Sequence, residues 1–284
     1  MRPVRPSQRN ELWYRAELRK LVHHLRQAGS AVAEGMRPRW PVVLDERAPG
    51  LDTLLRAAAA KFGNIRGVAQ RLAQAAARRN LSEGDRRLAA NILTSVGVDI
   101  SAALTDLSPS AEGQPPIRDV LADRTAENVA LITSIPEQYL SQVGEVVSQA
   151  WEKGTRWETL VKQIAERGEV AESRAALIAR DQTSKLNAAF NEVRQTGLGI
   201  DKYTWSTSLD ERVRPEHEDL EGKICRWNDP PIVDGEAVHP GEAINCRCVA
   251  LPILDVDEVP GGGGGQQGEG EEDDDQAEGE REAA

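Results

Sequence analysis

The chain is short of the residues and motifs that mark exported proteins and most enzymes. It has three cysteines and four histidines in 284 residues. Three thiols leave one over in any disulfide framework, and no apolar h-region follows the basic start Met1–Ser7, so no oxidised, exported scaffold is expected. No apolar run approaches the ~18 residues that span a bilayer, so no transmembrane helix is expected. The chain also lacks G-x-x-x-x-G-K-[ST], a G-x-G-x-x-G after a strand, H-E-x-x-H and G-x-S-x-G. These absences remove the familiar phosphate, dinucleotide, zinc-protease and serine-hydrolase sites. The expectation is a protein made in a reducing cytoplasm.

Charge is plentiful but segregated. The formal net charge is −11. Residues 255–284 carry twelve Asp/Glu against Arg281 alone, so they hold the whole imbalance and 1–254 is neutral. That tail opens on Gly261–Gly265 and is otherwise nearly all acid, Gly, Gln and Ala. It cannot bury enough apolar surface to offset chain entropy and is expected to be disordered. Residues 1–100 hold eighteen Lys/Arg against nine Asp/Glu, a surplus of +9 that 101–254 offsets. A basic half suits nucleic acid or an acidic protein surface. It equally suits solvated helix faces whose arginine stems cover apolar neighbours, and the few aromatics among the basic residues favour this reading.

Most of the chain reads as helix. Tyr14, Leu18, Leu21, Val22 and Leu25 recur at helical spacing and stop at Gly29. Residues 30–50, punctuated by Pro38, Pro41 and Pro49, read as loop. Leu51–Phe62 forms a second helix. Asn64 caps a third with Ile65, Val68 and Leu72 on one face, and Ser82 with Asp85 opens a fourth bearing Leu88, Ile92 and Val96. Pro, Ser and Gly in 105–116 mark a linker that closes a helical domain of 1–104. Ser134 with Pro136 and Glu137, and Thr155 with Glu158, are patterned as helix starts. Trp151 and Trp157 flank a break at Gly154 and are expected to pack in the core. A helix runs from Ser173 to Thr196 and ends at Gly197. Beyond Gly199 the period becomes alternating: Tyr203, Trp205 and Thr207 share a strand face, and Val249, Leu251 and Ile253 suggest a second strand that Pro252 confines to an edge. The fold class is α+β, mainly helical in its N-terminal and central parts, with a small β-containing C-terminal module and a disordered acidic tail.

All three cysteines and two of the four histidines fall between Tyr203 and Leu254. His217, His239, Cys246 and Cys248 are the candidate zinc ligands, with Cys225 as substitute where strand geometry excludes one sulfur. A segment so poor in apolar residues has use for a staple. Two residues separate Cys246 from Cys248, which on an extended chain puts both sulfurs on one face and permits joint ligation without demanding it. The other reading is a capped turn with the cysteines as small buried hydrophobes. Asp210, Arg212, Arg214, Glu216 and His217 raise a second chemistry, a metal-dependent nuclease whose arginines clamp phosphate. Against it stands a polar loop in which Asp210 caps a turn and Arg214 pairs with Glu218 or Asp219, since spacing identifies no base–nucleophile pair. His23 and His24 are adjacent on a helix, point to different faces and hardly share an ion.

In their order, these motifs resemble the phage Mu F-like minor head proteins, also called head morphogenesis proteins of tailed phages. The matching elements are the helix with Ala175–Arg180, the turn at Gly197, the Trp205-Ser-Thr strand, Asp210–His217, Leu220-Glu-Gly222, and the His239-Pro-Gly to Cys246-Arg-Cys248 close. They lie within 130–254 and imply a Mu F-like domain over 117–254. The family helix commonly reads Ile-Ala-Arg-Thr-Glu; here Ile178-Ala-Arg-Asp181-Gln182 places the acid one residue earlier. The resemblance implies a non-enzymatic minor structural protein of a tailed-phage or prophage head. It implies association with the portal protein and with major capsid or scaffold proteins, a place in the capsid interior or at the portal vertex, synthesis in the host bacterial cytoplasm, and roles in capsid assembly and genome delivery. One alternative is a nuclease or toxin-type enzyme, since such modules also occur attached to toxin domains, although only the acidic tail follows the module here. The other is a non-specific DNA-binding protein of the head interior, contacting packaged DNA through the basic N-terminal half. Zinc is the one cofactor the cluster admits.

Overall fold

The computed structural model describes residues 3–40, 48, 50–106 and 117–254. The expected linker from residue 107 onward and the expected tail at 255–284 lie outside the described residues.

Helix α1 (Gln8–Met36) starts where Ser7 Oγ accepts the Asn10 N–H at 3.4 Å. Its apolar stripe continues past Gly29 through Val32, Ala33 and Met36, which corrects the expected stop. Gly29 is buried because Tyr139 and Ile164 occupy the space of a side chain there, so its smallness serves packing, not termination. A 3-10 turn at Arg37–Arg39 follows, so the first part of the expected loop 30–50 is helical. Helix α2 (Leu51–Ala60) agrees with the sequence reading. Helix α3 (Ile65–Val96) is one element where two were expected. Asn64 makes no side-chain cap, Ser82 and Asp85 lie inside the helix, and buried Ala69, Ala73, Ala76 and Ala77 form a small-residue face. A short α4 (Ser101–Asp106) follows, the Ser101 N–H donating to Asp99 Oδ1 at 2.9 Å.

Helix α5 (Ile117–Glu152) runs straight through the expected start at Ser134. Ser134 Oγ donates to the Leu131 carbonyl at 2.8 Å instead of capping, and Pro136 sits inside the helix. The break at Gly154 is real: it has φ +61°, and the Thr155 N–H closes onto Ala150 O at 2.8 Å. Trp40 sits edge-on to both Trp151 and Trp157, and its Nε1 donates to Thr155 O at 2.8 Å. Helix α6 (Trp157–Gly197) extends 41 residues, well upstream of the expected Ser173 start.

One apolar core joins α1, α2, α3, α5 and α6, including Tyr14, Leu25, Ile132, Val143, Leu160 and Phe190. It draws on residues from both sides of 105–116. A smaller cluster of Val4, Leu88, Ile92, Ile100, Leu198 and Ile200 lies by the C-terminal end of α6. The chain then forms a three-stranded antiparallel sheet in the order β2–β1–β5, from β1 (Lys202–Ser206), β2 (Ile224–Arg226) and β5 (Val249–Pro252). Pro252 therefore lies in an edge strand, as expected. Between these come α7 (Pro215–Glu218) and a hairpin of β3 (Ile232–Val233) and β4 (Glu236–Ala237). The hairpin turns on Asp234-Gly235, both at positive φ, which matches the strand twist. The architecture is α+β. Among the described residues no helix is long and apolar enough to cross a membrane.

Candidate functional site

Tyr203 and Trp205 alternate onto the same buried face of β1, and each anchors a separate cluster. At the Trp205 end, the His217 ring stands edge-on to the indole with centroids 5.5 Å apart. His217 Nδ1 lies 3.4 Å from Cys246 Sγ and 3.5 Å from Cys248 Sγ, and all three residues are buried. Their ligand atoms lie within 4.8 Å of one another, which makes these three residues able to hold a metal ion.

At the Tyr203 end stand the other two sequence candidates. His239 Nδ1 is 2.9 Å from Tyr203 Oη, and its ring packs on Trp227 at 4.8 Å between centroids. Cys225 is opposite Tyr203 in the β1–β2 ladder. Of the five candidates, the structure brings His217, Cys246 and Cys248 together and leaves His239 and Cys225 out of that group. The reason is local. Glu242 caps the turn by accepting the His239 N–H at 2.6 Å, Gly241 turns at φ +97°, and the chain reverses again at Asn245, φ 59°. His239 thus faces Tyr203 and Trp227 while the cysteines face His217. Burial holds the His239 imidazole below its ordinary value, with Glu242 partly opposing, and burial raises the Cys225 thiol.

The loop carrying the cysteines is fastened on two sides. Towards α6, the Asn245 N–H donates to Asp181 Oδ1 at 3.0 Å, and Asp181 pairs with Lys185 at 3.2 Å. The displaced acid of the Ile178–Gln182 run therefore anchors the cysteine loop. A side chain at Gly241 would run into Ala188 of α6. Towards α7, Arg214 Nη2 donates to Ile244 O at 2.8 Å, and Arg247 clasps Asp210 with two hydrogen bonds. Those bonds hold the Asp210 carboxyl down to about 2. Asp210 also accepts the Arg212 N–H at 3.1 Å, as a turn cap does. With Asp210 and Arg214 committed to the loop, Glu216 exposed and His217 turned inward, the five residues of the nuclease reading do not converge. Arg214 bonds a carbonyl rather than Glu218 or Asp219. His23 faces solvent and contacts Gln27 at 3.0 Å.

The thiols are electrostatically unequal. The Cys246 thiol is pulled down, first by the Cys248 thiol donating to it, then by the N–H groups of Cys248 and Gly241 and by His217, against the cost of burial. Cys248 is raised, because its proton is held by its neighbour and because it is buried. Spacing alone did not reveal two further contributors. Trp205, fully buried, turns its indole N–H into this cluster, and Glu221 accepts the Thr207 N–H at 2.5 Å behind it.

Residues 141–251 match the family model described as Phage Mu protein F like protein. This stretch of the chain is similar to that family. It takes in the last turns of α5, all of α6, and the sheet with its two clusters. An uncharacterized protein of Haemophilus influenzae is 36% identical over 263 residues, covering 90% of this chain and 56% of that protein. Minor head protein GP7 of Bacillus phage SPP1 is 23% identical over 163 residues, 51% of this chain and 52% of that protein. The chain also resembles part of an NAD(+)–arginine ADP-ribosyltransferase of Enterococcus faecalis, 23% identical over 115 residues, which are 36% of this chain and 23% of that one. The chain spans about half the length of the first two, at 56% and 52%. No solved structure matches.

Proposed function

We propose that this chain is a minor structural protein of a tailed-phage or prophage head, without catalytic activity of its own. The observation that carries this is the Mu F-like match over 141–251, supported by the likeness to a phage minor head protein. In this reading the protein is made in the host bacterial cytoplasm and sits in the capsid interior or at the portal vertex. There it contacts the portal protein and major capsid or scaffold proteins, serving assembly and genome delivery. Docking is assigned to the helical body, where Leu12 of α1 and Leu177 of α6 are exposed on turns linked by the Glu11–Arg180 pair.

The likeness to an ADP-ribosyltransferase covers 23% of that protein, which supports a shared module more than a shared reaction. A DNA-contacting role for the basic half has less support. Arg19 and Arg26 pair with Glu172, Arg86 and Arg87 pair with Glu83, and Arg79 lies 4.4 Å over the Trp13 ring. Arg19, Arg26 and Arg79 thus brace one helix against another, and Arg86 and Arg87 brace their own.

The test is co-expression of the tagged full chain with the portal and major capsid proteins encoded beside it. Portal or capsid should co-purify, and Leu12→Asp with Leu177→Asp should reduce recovery at least tenfold while leaving the fold intact. Recovery of neither protein, with salt-sensitive retention of DNA instead, would overturn the head-docking reading in favour of DNA binding.

A further inference from the structure

We propose that His217 Nδ1, Cys246 Sγ and Cys248 Sγ bind one zinc ion that staples α7 to the cysteine loop of the module. Three observations point the same way. The first is distance. A tetrahedral zinc with ordinary Zn–S and Zn–N bonds separates imidazole nitrogen from thiolate sulfur by about 3.6 Å. The two observed separations are 3.4 and 3.5 Å. The third edge, sulfur to sulfur, also falls inside the 4.8 Å limit of the group. Both nitrogen–sulfur edges therefore match those of a zinc tetrahedron.

The second observation is Trp205. Its Nε1 is buried and has no hydrogen-bond partner. A buried indole N–H left unpaired is costly. The group lies against Cys248 and would stabilise that sulfur as a thiolate. A neutral thiol is a poor acceptor, whereas a metal-bound thiolate is a good one, so ligation supplies the missing partner.

The third is the shape of the chain around the three residues. Cys246 and Cys248 follow a loop fixed to α6 by Asp181 and to α7 by Arg214, and His217 is the buried residue of α7. The apolar cluster beneath is small, drawn mainly from Tyr203, Trp205, Trp227, Val233 and Ala250. An ion here adds an inner tie between α7 and the cysteine loop to the outer ones made by Arg214 and Arg247. Two thiolates and an imidazole select zinc over the hard cations magnesium and calcium. Binding displaces the two thiol protons to solvent, so affinity falls with acid. No fourth histidine, cysteine or carboxylate among the described residues joins the group, so the fourth position falls to water.

The experiment uses the full chain. Elemental analysis of natively purified protein should find about one zinc per chain. Cobalt(II) added to chelator-stripped protein should give a thiolate-to-metal charge-transfer band with the visible absorption of a tetrahedral site, and zinc should bleach it. Cys246→Ser, Cys248→Ser and His217→Gln should each abolish the band, while Cys225→Ser and His239→Gln keep it. Trp205→Phe should weaken zinc about tenfold to a hundredfold, as loss of an outer-shell hydrogen bond does. Should wild-type protein hold well under one-tenth zinc and give no cobalt band, the proposal is overturned and the trio is a hydrogen-bonded cluster. That result needs no variant to fold. Loss of the band in His239→Gln, with the fold intact, would also overturn the assigned ligand set. Neither result bears on co-purification with head proteins.

Discussion

Single residues set how closely the helices approach. Gly29 lies in the middle of α1, where alanine would ordinarily gain about 1 kcal/mol in helix propensity. Here the added methyl meets the Tyr139 hydroxyl and the Ile164 side chain, both in the core. Overpacking of this kind costs about 1–3 kcal/mol, so the clash outweighs the propensity gain. Gly29→Ala should therefore lower the midpoint of denaturant unfolding. Tyr139→Phe, which removes the closest obstructing atom, should restore part of the loss in a double-mutant cycle; purely additive effects would show that the contact is not what matters. Arg194 poses the opposite problem. It is fully buried, donates to Asp85 and to Leu81 O at 2.6 Å each, and fills the space a side chain at Gly84 would need. Removing one partner of such a pair leaves an uncompensated charge, so Asp85→Ala should cost about 3 kcal/mol, measured by urea denaturation. A cost below about 0.5 kcal/mol would mean that water replaces Asp85 there. No sequence pattern announced either position: Gly29 looked like a stop signal and Asp85 like a capping residue, because partners as distant in sequence as Tyr139 and Ile164 for Gly29, or Arg194 for Asp85, are invisible to local spacing.

At the scale of elements, periodicity identified types better than ends. The α1 stripe, the break at Gly154, the Tyr203–Thr207 alternation and the edge position of Pro252 were all legible, since each follows from side-chain geometry within a few residues. The split expected within α3 and the start expected within α5 fail for one cause. Ser82, Ser134 and Pro136 satisfy local capping rules, but burial of long faces against α6 outweighs them, and a hydroxyl can bond the preceding turn instead. In the module, the clustering was legible by composition: five candidates were named and three meet. The exclusion of His239 was not legible, because it depends on two positive-φ reversals inside the loop. His239 has its own consequence. Its folded value lies below the ordinary 6.5 because burial disfavours the charge. The unfolded chain then takes up a proton that the folded state refuses, so this contribution is intact above about 6.5 and lost as pH falls towards the folded value. Melts followed by Trp227 fluorescence should show the module destabilised between about pH 7.5 and 5.5. His239→Gln should flatten that slope. An equal slope in wild type and variant would assign the pH dependence to other groups.

Across the whole molecule, the first residues join parts that the chain order keeps far apart. Val4 is buried with Leu88, Ile92, Leu198 and Ile200, and its carbonyl accepts from Asn187 and Asn191 of α6 at 3.0 and 3.2 Å. One residue on, Arg5 donates to Thr207 O at 2.9 Å, beyond the end of β1, while its own carbonyl accepts from Arg87 of α3 at 3.1 Å. A few residues thus touch α3, α6 and the strand that carries both clusters. From the other side, Gln195 near the end of α6 donates to Ala250 O at 3.2 Å and accepts from Trp227 Nε1 at 3.2 Å. With the helical body and the module sharing these contacts, unfolding should be a single cooperative transition. Val4→Ala removes two buried carbons, about 1.5 kcal/mol, and Asn187→Ala removes a buried hydrogen bond worth about 1 kcal/mol. In a chain of this size each kcal/mol lowers Tm by about 2–4 °C. The double variant should therefore melt roughly 5–10 °C lower, with circular dichroism of the helices and Trp227 fluorescence of the module falling together. Deleting residues 1–6 should go further and separate the two signals, the module melting first. If the two probes already report separate midpoints in the wild-type chain, the N-terminal segment is not the coupling element, and the module is energetically independent of the helices it follows.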